Sequence, residues 1–189
     1  MGNHNYFNED ELNQEKKWIA AAKQNPKNFS PLYDKHFEVI FNYIYRRTGE
    51  ESLTSDLTSQ TFLKALQNLK KYQFKGIPFS AWLFKIASNE INKYYNSTKK
   101  RVKFSLEESR FREILEETTE KYDENIKNKM IKALEDLPSD MLLALEFRYF
   151  EEKSFKEIAY ILDVSESGAK MRIYRALEKL RLILKIERT

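Results

Sequence analysis

The 189-residue chain contains no cysteine, and this absence excludes disulfides, thiolate catalysis and cysteine-ligated zinc. Its two histidines, His4 and His36, lie far apart in the sequence without a spaced carboxylate pair, so no metal site is predicted. The chain also lacks a glycine-rich loop of the kind that cradles phosphates. We therefore expect no cofactor and no enzymatic activity.

Long hydrophobic runs are missing as well. No stretch approaches the roughly 18 apolar residues of a membrane span. The first residues, MGNHNYFNEDEL, are polar and acidic, unlike a secretory signal. These features predict a cytoplasmic protein without membrane insertion.

Turn-forming residues are scarce, with only four glycines and four prolines. Because β-rich folds need many turns, this scarcity predicts an all-α fold. The hydrophobic fraction of 41% is enough for real cores, and the length suits one domain or two small ones. The net charge is only +4, so a nucleic-acid-binding surface must come from local clustering of basic residues.

Changes in periodicity divide the chain into four parts. Residues 1–27 form an N-terminal extension with a helix around Leu12 to Lys23, and residues 28–98 form a first helical domain. Residues 99–125 are charged and poorly periodic, which predicts a linker. Periodicity resumes in residues 126–189, which form a second domain of four helices.

The first domain contains three main helices. One presents an apolar face from Leu32 to Ile44 and ends at Gly49, a residue suited to the position after a helix. A second runs roughly from residue 52 to 69, and a third from about residue 80 to 96. Residues 71–79 between them contain Gly76 and Pro78 and predict an exposed loop.

The end of the second domain has the pattern of a helix-turn-helix. Ser154 and Glu157 form a capping box at the start of the first helix. Asp163 begins the turn, Val164 fills its corner, and Ser165 caps the second helix. The predicted buried stripes comprise Phe155, Ile158, Ala159 and Leu162 in the first helix, and Ala169, Ile173, Leu177, Leu180 and Leu184 in the second.

The outer face of that second helix is basic, with seven Lys or Arg against three Glu from residue 166 to 188. A helix of this shape and charge fits the DNA major groove. The alternative is an ordinary surface helix whose charges only keep it solvated.

Aromatic and basic residues interleave from residue 72 to 95, including Tyr72, Phe74, Trp82, Lys75 and Lys93. Exposed aromatic rings stack on unpaired bases while lysines follow the phosphates, so the mixture suits single-stranded DNA. Trp82 is equally well spaced for the core.

The blocks DLTSQTFLKAL, FSAWLFKIASNEINKYY and LPSDMLLALEFRYFEEKSFKEIAYILDVSESGAKMRIYRALEKLR, in this order, resemble a bacterial RNA polymerase sigma factor of the sigma-70 family. The closest likeness is to the extracytoplasmic-function (ECF) group. That resemblance implies two domains: region 2, which binds core polymerase and the −10 element, and region 4, which reads the −35 element. It implies core RNA polymerase and promoter DNA as partners, and an anti-sigma factor as a further partner to seek.

The resemblance also assigns roles to individual residues. The core-polymerase-binding residues are Asp56, Gln60, Thr61 and Lys64 on an exposed face. The −10 DNA residues are Phe74, Phe79, Trp82, Lys85, Asn89 and Lys93. The −35 DNA residues are Ser165, Ser167, Lys170, Met171, Arg172, Tyr174 and Arg175, with Arg172 and the two serines facing phosphates.

Two other interpretations remain open from the sequence. A dimeric helix-turn-helix regulator would bind a palindromic operator tightly without polymerase. A structural or catalytic helical protein would bind neither polymerase nor DNA.

Overall fold

The computed structural model describes residues 9–98, 129, 132–134 and 136–184. Every regular element in these residues is helical, which confirms the all-α prediction. The chain divides into two compact units, the first within residues 1–104 and the second within residues 105–189. No helix in the described part of the chain has the length and apolarity needed to cross a bilayer.

The first unit contains four α-helices: α1 (Glu9–Gln24), α2 (Ser30–Thr48), α3 (Glu51–Asn68) and α4 (Phe79–Thr98). Short 3₁₀ segments, Pro26–Phe29 and Leu69–Lys71, lie before α2 and after α3. The predicted end of α2 is confirmed, because Gly49 adopts φ 64° and its N–H donates to the Tyr45 carbonyl. This left-handed conformation is accessible to glycine at little cost.

The core of the first unit is formed where α2 packs on α3 and α4. Leu32, Ile40 and Ile44 of α2 are fully buried, as the sequence predicts. Two buried hydroxyls also connect α2 with α4: Tyr43 Oη lies 2.8 Å from Ser88 Oγ, and Tyr95 Oη donates to the Arg47 carbonyl at 3.0 Å. These contacts fix the position of α4.

The N-terminal helix α1 is part of the first unit. It packs against α2 and both 3₁₀ segments, and it buries Glu15, Ile19 and Ala22. The predicted helix is therefore confirmed. One face of α1 completes the core of the first unit.

The second unit contains helical residues at 129 and 132–134, then α5 (Ser139–Leu145), α6 (Phe155–Leu162) and α7 (Glu166–Leu184). A π-helical segment, Glu146–Phe150, continues α5. The predicted linker, residues 99–125, lies outside the described residues, as does the side chain of Leu184.

The inner stripe of α7 is confirmed at Ala169, Ile173, Leu177 and Leu180, which are all buried. The predicted stripe of α6 is wrong in part: Ile158 and Ala159 are buried together with Ile161, whereas Phe155 and Leu162 are half-buried. Phe155 begins the helix at the surface, where Arg148 lies 5.0 Å and Lys170 lies 5.2 Å from its ring.

Candidate nucleic-acid interface

The first helix of the helix-turn-helix begins at the predicted capping box. Ser154 Oγ accepts a hydrogen bond from the Glu157 N–H at 3.2 Å, and the Ser154 N–H donates to Glu157 Oε2 at 2.8 Å. The same helix ends at Asp163, which adopts the left-handed conformation at φ 58°. Aspartate tolerates this conformation better than most residues do, so α6 stops here and the chain turns.

The second helix begins at Ser165, whose Oγ accepts a hydrogen bond from the Gly168 N–H at 3.0 Å. This confirms the predicted N-cap. Gly168 permits the close approach, because a Cβ atom at this position would lie 3.1 Å from Ser165 Oγ. Ser167 Oγ lies 3.0 Å from Ser165 Oγ, so the two hydroxyls lie together at the exposed start of α7.

The outer face of α7 presents four of the predicted −35 residues to solvent: Lys170, Met171, Tyr174 and Arg175. Met171 is 50% exposed and Tyr174 is 56% exposed, large values for side chains with so much apolar surface. Lys170 Nζ lies 3.2 Å from the Glu166 carboxylate. Basic, polar and apolar groups therefore share one accessible helix face.

Arg172 lies to the side of this face. It is half-buried, and its Nε lies 3.3 Å from the Asp140 carboxylate of α5. The ion pair holds the guanidinium against the neighbouring helix. Arg172 therefore differs from Lys170 and Arg175, which the sequence analysis placed in the same interface.

The loop between α3 and α4 is anchored by aromatic packing. Tyr72 is buried, and its ring lies 4.5 Å from Trp82 and 5.4 Å from Phe79. Ile77 is buried near the other end of the loop. The predicted exposure is thus correct for Gln73, Lys75 and Gly76 and wrong for Tyr72 and Ile77.

Phe79, predicted to contact −10 DNA, does not have the exposed ring that this role requires. It is fully buried at the start of α4, with the rings of Phe29 at 6.4 Å and His36 at 5.8 Å. Trp82 is half-buried and packs against Tyr72. Its exposure is intermediate between the accessible position and the core position that its spacing left open.

The accessible residues of α4 among those predicted to contact −10 DNA lie on one face of the helix. Asn89 and Lys93 are exposed and Lys85 is half-buried, each one helical turn from the next. Phe74 is half-buried in the loop that leads to this helix. The loop and α4 together thus offer an aromatic ring, an amide and two lysines.

The predicted polymerase-binding face of α3 is smaller than expected. Asp56 and Gln60 are exposed. Thr61 is fully buried and its hydroxyl donates to the Leu57 carbonyl at 2.7 Å, so its predicted place on the exposed face is wrong. Lys64 forms an ion pair with Glu90 of α4.

The sequence pattern did not reveal an exposed aromatic row on α2, because the apolar residues from Leu32 to Ile44 were assigned to a single face. Tyr33, Phe37 and Tyr45 are exposed, and neighbouring rings along the row Tyr33, Phe37, Phe41 and Tyr45 lie 5.2 to 6.4 Å apart. The sequence does contain a signal for this row. Apolar residues of α2 recur at these four-residue steps and also on the adjacent core stripe, and together they provide more apolar surface than one core face can bury.

Glu15 of α1 is a buried carboxylate that supports the loop and α4. Burial by itself raises its pKa, but nearby His36, the Phe79 N–H and Lys35 outweigh that effect and lower the pKa of Glu15 to about 2. Glu15 Oε2 accepts from the Phe79 N–H at 2.8 Å, while Oε1 lies 3.0 Å from Lys35 Nζ and 3.1 Å from His36 Nε2. Sequence periodicity gave no sign of this residue, because its partners are distant in the chain.

Comparisons with known proteins match both parts of the chain. The family described as Sigma-70 region 2 matches residues 32–101, and the family described as Sigma-70, region 4 matches residues 127–180. The ECF RNA polymerase sigma factor SigL of Mycobacterium tuberculosis is 30% identical over 167 residues, covering 87% of this chain and 93% of SigL. This chain belongs to the sigma-70 family.

A second sigma-70 relative is the ECF RNA polymerase sigma factor BldN of Streptomyces coelicolor, which is 29% identical over 158 residues. The match covers 82% of this chain and 60% of BldN. The solved structure of CnrH in complex with the cytosolic domain of CnrY has a TM-score of 0.59 at 21% identity, covering 90% of this chain and 97% of that chain. That likeness shows the fold.

The sigma-70 family match locates the site residues within named regions. Region 2 contains the loop, α4 and the exposed part of α3, and region 4 contains the helix-turn-helix. Helix α1 lies before the region 2 match, which begins at residue 32. Members of this family are transcription initiation factors and not enzymes.

Proposed function

We propose that this chain is an ECF-type sigma factor that binds core RNA polymerase through its first unit and reads promoter DNA with both units. The observation that carries the proposal is the outer face of α7. Within a matched region 4, four predicted DNA-contacting side chains are exposed while the opposite stripe of the helix is buried. A buried stripe and an accessible basic face are what a recognition helix needs.

At the −35 element, Arg175 supplies a planar donor for a guanine edge and Lys170 a point charge for a phosphate. Met171 and Tyr174 add apolar surface that suits the methyl group of thymine. Ser165 and Ser167 lie at the N-terminus of α7, where backbone N–H groups favour a phosphate. Arg172 contributes less than its neighbours, because a phosphate must compete with Asp140 for it.

At the −10 element, the loop and α4 hold the melted strand. Phe74 offers a ring for an unpaired base, and such stacking contributes about 1–3 kcal/mol per base. Asn89 offers both donors and an acceptor, and Lys85 and Lys93 lie along the same helix face to follow the phosphates. Trp82 packs against Tyr72 at the beginning of the loop and thereby supports the loop.

Core polymerase binds the face of α3 that includes Asp56 and Gln60. These side chains are exposed and lie one helical turn apart. Lys64 lies at the edge of this face and contributes to polymerase binding there while it forms an ion pair with Glu90.

The partners and location follow from this role. CnrH is solved in complex with the cytosolic domain of CnrY. The sigma factor RpoE from Bartonella quintana, another solved structure of this fold, is in complex with the anti-sigma factor NepR. By analogy, we propose an anti-sigma partner for this chain, and a cytoplasmic location where core polymerase is found.

Transcription by purified components tests the proposal. The chain is mixed with core polymerase and a library of genomic fragments, and transcripts that require the chain are sequenced. We expect shared −35 and −10 elements upstream of the start sites, and weak DNA binding by the chain alone. Failure to bind core polymerase, or tight binding to a palindrome without it, would contradict the proposal.

A further inference from the structure

The loop between α3 and α4 is tied to α1 at both ends. At its beginning, Lys23 Nζ donates a hydrogen bond to the Tyr72 carbonyl at 2.5 Å. At its end, the Phe79 N–H donates to Glu15 Oε2 at 2.8 Å. The partners on α1 are eight residues apart, or about 12 Å along the helix axis.

Each of the two contacts meets a specific need of the backbone. The Phe79 N–H is the first of α4 and has no partner within its own helix. It donates a hydrogen bond to the Glu15 carboxylate, whose negative charge also interacts favourably with the positive N-terminal end of the helix dipole. The Tyr72 carbonyl is at the point where the chain leaves the 3₁₀ segment Leu69–Lys71. A hydrogen bond from a charged donor is shorter and stronger than a neutral one.

The base and the tip of the loop have different environments. Tyr72 and Ile77 are buried, whereas Gln73, Lys75 and Gly76 are exposed. Gly76 adopts φ 68°, and a Cβ atom at this position would meet no neighbouring atom within 4 Å. Contacts that hold the two ends of the loop therefore limit the shapes that the exposed tip can adopt.

We propose that α1 is a positioning element for capture of the melted −10 strand. Lys23 and Glu15 clamp the ends of the loop, and the exposed tip and Phe74 are thereby preorganised for a single strand. Neither residue contacts DNA. The inference rests on the proposed function, and it gives α1, which precedes the region 2 match, a role in promoter opening.

The first test measures the clamp without polymerase. Lys23→Met removes the donor and keeps most of the stem, and Lys17→Met is the matched control, because Lys17 is an exposed lysine of the same helix. Amide hydrogen exchange of residues 73–77 in the full chain should speed up about tenfold in Lys23→Met and stay unchanged in Lys17→Met. Unchanged exchange in Lys23→Met would show that no clamp exists, whatever the function of the chain.

The second test measures the consequence in holoenzyme. Open-complex formation on a duplex promoter should fall about tenfold with Lys23→Met, while core affinity stays at the parent value. Lys23→Arg, which retains a charged donor, should recover most of the loss, and Glu15→Gln should resemble Lys23→Met.

The outcomes separate the two proposals. Faster loop exchange with normal open-complex formation would overturn the positioning role and leave the sigma-factor assignment intact. An equal loss in Lys17→Met, or a loss of core affinity in Lys23→Met, would also overturn it. A parent chain that binds no core polymerase would instead contradict the proposed function.

Discussion

At the scale of single residues, the most consequential feature is Glu15, a buried carboxylate whose charge is stabilised by the groups around it. Glu15 is 2% exposed, and an isolated buried carboxylate is strongly unfavourable. Lys35, His36 and the Phe79 N–H stabilise its ionised form. The low pKa of Glu15, about 2, is the result.

This pKa predicts a pH dependence of stability. The folded pKa of about 2 is below the ordinary value of 4.5, so the stabilisation is complete above pH 4.5 and is lost as the pH falls toward 2. A difference of this size corresponds to about 3 kcal/mol. We expect Glu15→Gln to destabilise the first unit by about 2–3 kcal/mol at pH 7 and to flatten the dependence on pH between 5 and 3.

Urea unfolding monitored by circular dichroism at several pH values checks this prediction. Glu11→Gln is the control, because Glu11 pairs with the same Lys35 at 3.6 Å but its side chain is 66% exposed. Exposed pairs contribute about 1 kcal/mol or less, so the control should barely differ from the parent. If the two variants unfold alike, the carboxylate of Glu15 does not stabilise the fold as we infer.

At the scale of elements, side chains of similar charge on the proposed recognition helix α7 lie in different environments. Arg175 and Lys170 are on the exposed face, and Arg172 is held by Asp140. Arg175→Ala should cost about 1–3 kcal/mol of promoter affinity and relax preference at one −35 position. Lys170→Ala should weaken all promoters similarly and reduce the salt slope by about one unit.

Holoenzyme binding to a set of −35 variants at several salt concentrations measures both effects. Lys179→Ala serves as the control, since Lys179 is an exposed lysine further along the same helix. The buried stripe of Ala169, Ile173 and Leu177 is untouched in each variant, so melting temperatures should hardly change. Full promoter affinity in Arg175→Ala and Lys170→Ala would mean that this face is not the reader.

Elements with local signals were predictable from the sequence. The capping box at Ser154, the turn at Asp163 and the glycine after α2 depend on residues three to five positions apart, and all are as expected. The errors involve contacts between distant segments. Phe79 and Thr61 are buried by neighbours that periodicity does not reveal, and Glu15 finds its partner 64 residues away.

At the scale of the whole molecule, the two units have separate cores, so effects of variants can be assigned to one unit. In region 4 the sequence predicted the capping box, the turn and the inner stripe of α7, but it misplaced Phe155 and Leu162 of α6. In region 2 the exposed face of α3 was overestimated, because the burial of Thr61 depends on how three helices share one core. The aromatic row on α2 was missed although its four-residue spacing is visible in the sequence. A test of docking to polymerase therefore needs a closely matched control variant.

Replacing Asp56 and Gln60 of region 2 with lysines changes the charge of the proposed docking face by three units and disturbs no buried group. If complementary charge guides this contact, the double variant should compete for core polymerase at least about tenfold less well. Glu38→Lys with Asn42→Lys is the matched control, with the same charge change and spacing on exposed positions of α2. Surface changes of this kind alter stability by only about 0.5 kcal/mol, so both double variants should melt like the parent. Competition against the parent chain for core polymerase measures the difference, and equal losses in the two double variants would show that net charge, and not this face of α3, governs binding.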